Sequence, residues 1–93
     1  AALAPFDAFV LPTVPCIAPP IAEVNASDEA YFRWNGRILG IVGLVNFLDG
    51  CAASLPCHVR GAAPVGLMVC GPAMSDRRIL AVAAAIERAL ATA

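Results

Sequence analysis

Three side chains between positions 49 and 58 are of the types that form a hydrolytic triad. A serine nucleophile, a histidine base and a carboxylate would be Ser54, His58 and Asp49. On an extended strand, Ser54 and His58 would lie about 13 Å apart at about 3.3 Å per residue, with Pro56 between them. A nucleophile and its base must come within hydrogen-bond reach, so this spacing argues against a triad. We expect His58 to be a solvent-facing turn residue and Ser54 to be a buried hydroxyl bonded to backbone.

The chain is poor in the other groups that catalysis uses. It has no lysine, one histidine and three serines, and it contains neither a glycine-rich phosphate loop nor paired carboxylates. A thiol enzyme using Cys57 beside His58 would need a persistent cation or a helix N-terminus to lower the thiol pKa. The four cysteines match no usual zinc spacing. We therefore expect reduced cysteines and, by default, a cytoplasmic compartment.

The composition indicates a chain that packs against more polypeptide or against itself. Apolar residues make up 60% and charged residues 14%, against roughly 45–50% and about 25% in ordinary soluble domains. A short domain buries a smaller share of its surface and should be more polar than average. The longest apolar stretch, 38–48, is about half the roughly 20 residues of a membrane-spanning helix. The net charge of −1 and the lack of a basic stripe argue against nucleic-acid binding.

Apolar runs and turn residues predict three strands. Residues 6–11 form a short apolar run that Pro12 ends, which is typical of a buried strand. Residues 12–20 hold four prolines and predict a stiff extended connection. Residues 51–55 and 65–69 predict a β-hairpin with a long polar turn.

Two regions carry helix signals. Ser27, followed by two carboxylates, predicts a helix start. The glycines after it predict a break near Gly40, with a second short helix over 41–47. Ser75 is expected to cap a last helix in which apolar residues recur at helical spacing.

These elements together predict an α/β fold. Its expected architecture is a mixed β-sheet segment covered by helices, with a strand, one or two helices, a β-hairpin and a C-terminal helix in chain order. We expect residues 1–93 to be one segment of a larger domain.

Three stretches of this chain resemble the C-terminal portion of amidase signature enzymes. Residues 7–15, followed by Ala18-Pro19, resemble that family's D-x-x-x-x-P-T-x-P…A-P segment. Residues 46–56 resemble N-x-x-G-x-P-A-x-S-x-P, and residues 64–71 resemble P-x-G-L-Q-x-x-G. Where most members have G-x-P after the asparagine, this chain has Asp49-Gly50-Cys51. This aspartate-containing form of the segment is similar to the form found in the allophanate hydrolase-like and bacterial small-amide amidase branches of the family.

The resemblance implies part of the amidase signature fold and an amide hydrolase whose triad lies elsewhere. Such enzymes cut a carboxylic amide to an acid and ammonia or an amine with a Ser–cis-Ser–Lys triad, and no metal or organic cofactor is implied. This chain has neither a lysine nor a Gly-Gly-Ser-Ser run, so no catalytic residue carries over and we expect the chain alone to be inactive. The implied partners are the remainder of an amidase polypeptide, a small amide substrate and further copies in a homo-oligomer, with no nucleic acid and no membrane.

The same resemblance indicates four residues that could line a substrate pocket: Trp34, Asn35, Asn46 and Asp49. Core packing is the alternative for Trp34, helix-end or turn capping for Asn46, and turn capping for Asp49. The alternative for the whole chain is a stand-alone, non-catalytic α/β module that self-associates or binds a protein partner.

Overall fold

Residues 6–91, the part of the chain that the computed structural model describes, form three strands and three helices. In chain order these are β1 (Phe9–Pro12), α1 (Ile21–Val24), α2 (Asp28–Phe47), β2 (Cys51–Pro56), β3 (Gly66–Gly71) and α3 (Asp76–Ala91). The predicted α/β class and the predicted order of strands and long helices are confirmed. The sequence did not predict α1, a single turn that follows Pro20.

The three strands form one sheet in which β3 lies between β1 and β2. Both pairings are antiparallel, and Leu11 of β1 and Ser54 of β2 both lie opposite Met68. The predicted mixed sheet is therefore wrong for the described residues. The hairpin reverses the chain between β2 and β3, so β3 runs against β2, and β1 joins β3 on its other side.

Helices cover both faces of this sheet because side chains along each strand alternate between the faces. Helix α3 packs on one face, and the C-terminal half of α2 packs on the other. Buried residues of the α3 face are Leu55, Val69, Ile79 and Ala83; those of the α2 face are Val45, Met68 and Cys70. The amphipathic last helix is confirmed as the cover of one sheet face.

Helix α2 runs without interruption past Gly40, so the predicted break is wrong. Ser27 caps its start, as predicted, because the Ser27 hydroxyl accepts a hydrogen bond from the Ala30 N–H at 3.0 Å. A glycine inside a helix costs about 1 kcal/mol relative to alanine. Packing of Ile41 and Val45 on the sheet offsets that cost.

The outward side of α2 is apolar as well. Phe32, Leu39 and Phe47 are exposed there, and the Phe47 side chain is 87% exposed. Residues 38–45 of α2 are all apolar, and a helical segment that is apolar on all sides is typical of one surrounded by protein or lipid. Within residues 6–91, however, no helix is both long and apolar enough to cross a membrane.

Candidate functional site

Three of the sequence motifs meet at the end of the sheet where β3 begins. Thr13 directly follows β1, Ser54 lies on β2, and Gly66 is the first residue of β3. The Thr13 N–H donates to the Gly66 carbonyl oxygen at 3.0 Å. The hydroxyl oxygens of Thr13 and Ser54 are 2.6 Å apart and hydrogen-bonded. This hydroxyl bridge, defined by Thr13 and Ser54, joins the two outer strands across the central one.

The hydroxyl bridge explains why position 66 is a glycine. A Cβ atom there would lie 2.7 Å from the Thr13 Oγ1 and 2.8 Å from the Ser54 Oγ. Both distances are shorter than the packing of carbon against oxygen allows. The absence of a side chain at Gly66 thus leaves the space that the two hydroxyls occupy.

The hydroxyl bridge has the geometry of a structural contact. One of its two hydroxyls donates to the other, and among the described residues no histidine or arginine bonds either oxygen. Ser54 is exposed and bonded to a side chain. The expectation of a buried serine bonded to backbone is therefore wrong, because β2 is an outer strand of the sheet.

His58 closes the loop between β2 and β3. Its Nδ1 accepts a hydrogen bond from the Val65 N–H at 3.1 Å, and the Cys57 N–H donates to the Val65 carbonyl at 2.9 Å. The imidazole is exposed in the turn, as predicted. Because His58 bonds Val65 and Ser54 bonds Thr13, these two side chains are not a nucleophile and its base.

Asn46 and Asp49 come together where α2 ends. The Asp49 N–H donates to the Asn46 carbonyl at 3.1 Å, and the Gly50 N–H donates to the Val45 carbonyl at 3.0 Å. These are the two backbone bonds of a Schellman helix end, in which the residue at the Asp49 position is left-handed and usually glycine. Asp49 has φ of 56°. The chain thus keeps this turn with an aspartate where the resemblance places a glycine.

Trp34 and Asn35 lie elsewhere on the same helix. Asn35 precedes Asn46 by eleven positions, which is about 16 Å along a helix axis at 1.5 Å per residue. Trp34 is half-buried, its indole N–H is buried without a hydrogen-bond partner, and the Arg37 guanidinium lies 4.8 Å from the ring centroid. The four predicted pocket residues therefore form two separate pairs, and their contact with substrate stays a prediction.

The cysteine thiols are unpaired and lie in different environments. Cys57 is exposed, whereas Cys70 is fully buried on the α2 face. Burial, and secondly the nearby Cys51, raise the pKa of the Cys70 thiol. The Cys51 thiol donates to the Pro72 carbonyl at 3.4 Å. Over residues 6–91, no three histidine, cysteine or acidic side chains come together as a metal site.

Comparison with known proteins identifies the family. The sequence model described as Amidase matches residues 1–80. The chain belongs to the amidase family. This result confirms the resemblance drawn from the three motifs, each of which contributes one residue to the contact among Thr13, Ser54 and Gly66.

Individual amidase-family relatives are similar to this chain over most of its length. A glutamyl-tRNA(Gln) amidotransferase subunit of Salinispora arenicola is 37% identical over 84 residues, which are 90% of this chain and 16% of that protein. The 2-amino-5-chloromuconic acid deaminase of Comamonas testosteroni is 29% identical over 87% of this chain and 18% of its own length. The chain therefore spans about a sixth of the length of these relatives. No solved structure matches it.

Sequence reasoning missed the hydroxyl bridge, although it singled out all three motifs. Thr13 and Ser54 are 41 positions apart, and nothing in either motif alone shows that their side chains touch. The signal that could have indicated the contact is that the three motifs, which contain Thr13, Ser54 and Gly66, all belong to the pattern of one family.

Proposed function

We propose that this chain is the C-terminal part of an amidase-family hydrolase and supplies structure, while sequence outside residues 1–93 supplies the catalytic groups. The observation that carries this proposal is the family match over residues 1–80 in a chain without any lysine. In this proposal the chain forms an edge of the enzyme's sheet and one wall of its substrate pocket.

The proposed reaction is the hydrolysis of a carboxylic amide. A serine oxygen attacks the amide carbonyl, the C–N bond breaks, and the nitrogen leaves with a proton as ammonia or an amine. Water then cleaves the acyl-serine ester, which releases the acid and restores the serine. A Ser–cis-Ser–Lys triad performs this chemistry in the family that the motifs resemble. One relative is named as an amidotransferase subunit and another as a deaminase, and both names describe reactions at nitrogen-containing groups.

A structural role accords with the hydrogen bonds of the chain's own polar groups. The hydroxyls of Thr13 and Ser54 bond each other, and the Nδ1 of His58 bonds the loop backbone. Neither of these hydrogen-bonding arrangements places a base beside a nucleophile. The contribution to substrate binding would come from α2, where Asn35 and Asn46 expose amide side chains.

A fluorophosphonate probe, which reacts with activated serine nucleophiles, tests the proposal. We expect it to label the long polypeptide in which this chain is continuous with upstream amidase sequence, at a serine outside residues 1–93. The isolated chain should remain unlabelled, and the long polypeptide carrying Ser54→Ala should label as well as the parent. Labelling of Ser27, Ser54 or Ser75, located by peptide mass spectrometry, would refute the proposal.

A stand-alone module that self-associates is the second candidate, because the chain exposes much apolar surface. Its accessible surface is 6726 Å², against about 5,000 Å² for a compact monomer of 9.5 kDa. Self-association predicts a single defined oligomer in light scattering and no activity from any longer polypeptide. The first proposal predicts amide hydrolysis from that longer polypeptide.

A further inference from the structure

The His58 imidazole takes the place of a backbone acceptor where the loop between β2 and β3 closes. In a hydrogen-bonded antiparallel pair, two facing residues exchange both N–H···O bonds. Within the described residues, Cys57 and Val65 make one of these bonds, from the Cys57 N–H to the Val65 carbonyl. The Val65 N–H donates to the His58 Nδ1 at 3.1 Å instead of to a carbonyl. This part of the loop closure therefore depends on the protonation state of a side chain.

The two charge states of His58 bond different atoms of Val65. Nδ1 can accept a hydrogen bond only through its lone pair, which the neutral imidazole has when its proton is on Nε2. In the protonated imidazole both ring nitrogens are donors, so the Nδ1–H and the Val65 N–H would oppose each other. The Val65 carbonyl oxygen lies 3.3 Å from the same Nδ1. A carbonyl oxygen has two lone pairs, so this one can accept from Nδ1–H as well as from the Cys57 N–H.

No neighbouring charge holds the imidazole in one state. His58 is exposed to water, and the three strands carry no charged side chain. The loop and the elements around it contribute charged or thiol groups, namely Cys57, Arg60, Cys16, Arg37, Glu87 and Arg88. Among residues 6–91, none of these side chains bonds the imidazole, whose partners are the backbone atoms of Val65. Imidazole is the side chain that ordinarily gains its charge as the pH falls from 8 to 5.

Val65 is directly connected to the contact among the three strands. It precedes Gly66, whose carbonyl accepts from the Thr13 N–H at 3.0 Å. The rest of the loop is held by few bonds: over the described residues, the Ala62 N–H donates to the Val59 carbonyl at 3.0 Å. Segments with few protected hydrogen bonds open locally more readily than a sheet does. The bond of the Val65 N–H therefore affects the order of the loop next to the hydroxyl bridge.

We propose that His58 and Val65 form a pH-sensitive hydrogen-bond switch in the loop between β2 and β3. The neutral imidazole accepts from the Val65 N–H and holds the loop to the start of β3. The imidazolium donates to the Val65 carbonyl and releases the Val65 N–H to water. The switch depends on residues 57–66 alone, so it goes beyond the proposed function and does not require it.

Hydrogen–deuterium exchange resolved to single amides in the long polypeptide tests the switch. Each exchange rate is divided by the intrinsic rate of that amide at the same pH, which gives a protection factor. We expect the protection factor of the Val65 amide to be about tenfold lower at pH 5 than at pH 8, because the amide loses its acceptor. The Cys57 amide donates to the Val65 carbonyl in both states and should keep its protection factor.

Two variants at position 58 separate the switch from a general loosening of the protein in acid. His58→Asn places a carbonyl oxygen as many bonds from the backbone as Nδ1, and this oxygen accepts a hydrogen bond at either pH. The Val65 amide of this variant should therefore be protected at both pH 5 and pH 8. His58→Ala removes the acceptor, so its Val65 amide should be equally unprotected at both pH values.

Three results would overturn the proposed switch. One is equal protection of the Val65 amide at pH 5 and pH 8 in the parent protein. Another is a loss of Val65 protection in acid that persists in His58→Asn, since this loss would not come from the imidazole. The third is a parallel loss at the Cys57 amide in acid, which would assign the change to opening of the whole hairpin. Amide hydrolysis is not part of this readout, so the proposed function can fail without affecting the result.

Discussion

Gly66 is the residue on which the contact among the three strands depends. The Thr13 hydroxyl and the Ser54 hydroxyl meet over its Cα, and its carbonyl accepts from the Thr13 N–H. A residue with any side chain would separate the hydroxyls or move β1 away from β3. This contact explains in physical terms why the proline–threonine motif after β1, the serine of β2 and the first glycine of β3 occur together in one chain.

We predict that Gly66→Ala destabilises the chain by about 1–3 kcal/mol, the usual cost of overpacking. The new methyl would lie within 3 Å of both hydroxyl oxygens. Urea unfolding measures the effect. The cost should become smaller when Thr13→Ala and Ser54→Ala are also present. Gly43→Ala is the control, since nothing lies within 4 Å of a Cβ there and the helix should gain stability. An equal cost in both backgrounds would contradict the account of Gly66.

Cys70 should make stability depend on pH in the alkaline range. Its burial, together with Cys51, raises the pKa of the folded thiol above the ordinary value of 9.0. Above about pH 9 the unfolded chain has lost this proton while the folded chain keeps it. The free energy of unfolding should therefore be fully retained below pH 9 and fall as the pH rises toward the folded pKa.

Urea titrations between pH 7 and pH 10.5 measure this dependence. Cys70→Ser should lower stability at all pH values and flatten the alkaline slope. Cys57→Ser, at an exposed thiol, should keep the slope. An unchanged slope in Cys70→Ser would exclude this thiol as its source.

At the scale of elements, α2 shows where local propensity and packing disagree. Three glycines weaken it locally, yet the packing of its C-terminal half on the sheet keeps it whole. Its end is fixed by backbone bonds from Asp49 and Gly50. A Cβ at Gly50 would lie 2.7 Å from the Gly71 carbonyl oxygen, so the chain can turn into β2 only through a glycine.

We predict that Asp49→Gly stabilises the chain by about 0.5–1 kcal/mol. Asp49 has the left-handed φ of 56°, which costs an L-residue roughly 1–2 kcal/mol and glycine almost nothing. Thermal unfolding measures the change. Asp49→Val should have the opposite sign, because a β-branched residue is strained there, and Gly50→Ala should also destabilise. A loss of stability in Asp49→Gly would mean that the carboxylate makes a contact worth more than the strain.

The sequence predicted elements well where one physical signal dominated. The apolar side chains of α3 pack on one face of the sheet, so their helical spacing in the sequence clearly indicated this helix. The break at Gly40 was predicted wrongly because intrinsic propensity neglects the contacts of Ile41 and Val45. The pairing of Thr13 with Ser54 was not predictable, since it depends on the register of two strands that touch only through β3.

At the scale of the whole molecule, the chain is more extended than a self-contained domain. Its radius of gyration is 15.3 Å, against about 12 Å for a compact domain of 93 residues. Apolar residues remain exposed on the outward side of α2 and beside the β2 edge. These surfaces are those that further amidase sequence would cover in the proposed function.

The release of ammonia from small primary amides tests most directly whether this chain contributes structure without catalysis. We expect no turnover by the purified 93-residue chain above a buffer blank, at any enzyme concentration at which it stays soluble. The long polypeptide, in which this chain is continuous with upstream amidase sequence, should hydrolyse amides. Ser54→Ala in that polypeptide should leave kcat unchanged. Turnover by the isolated chain that survives repurification, and that Ser54→Ala abolishes, would contradict the account.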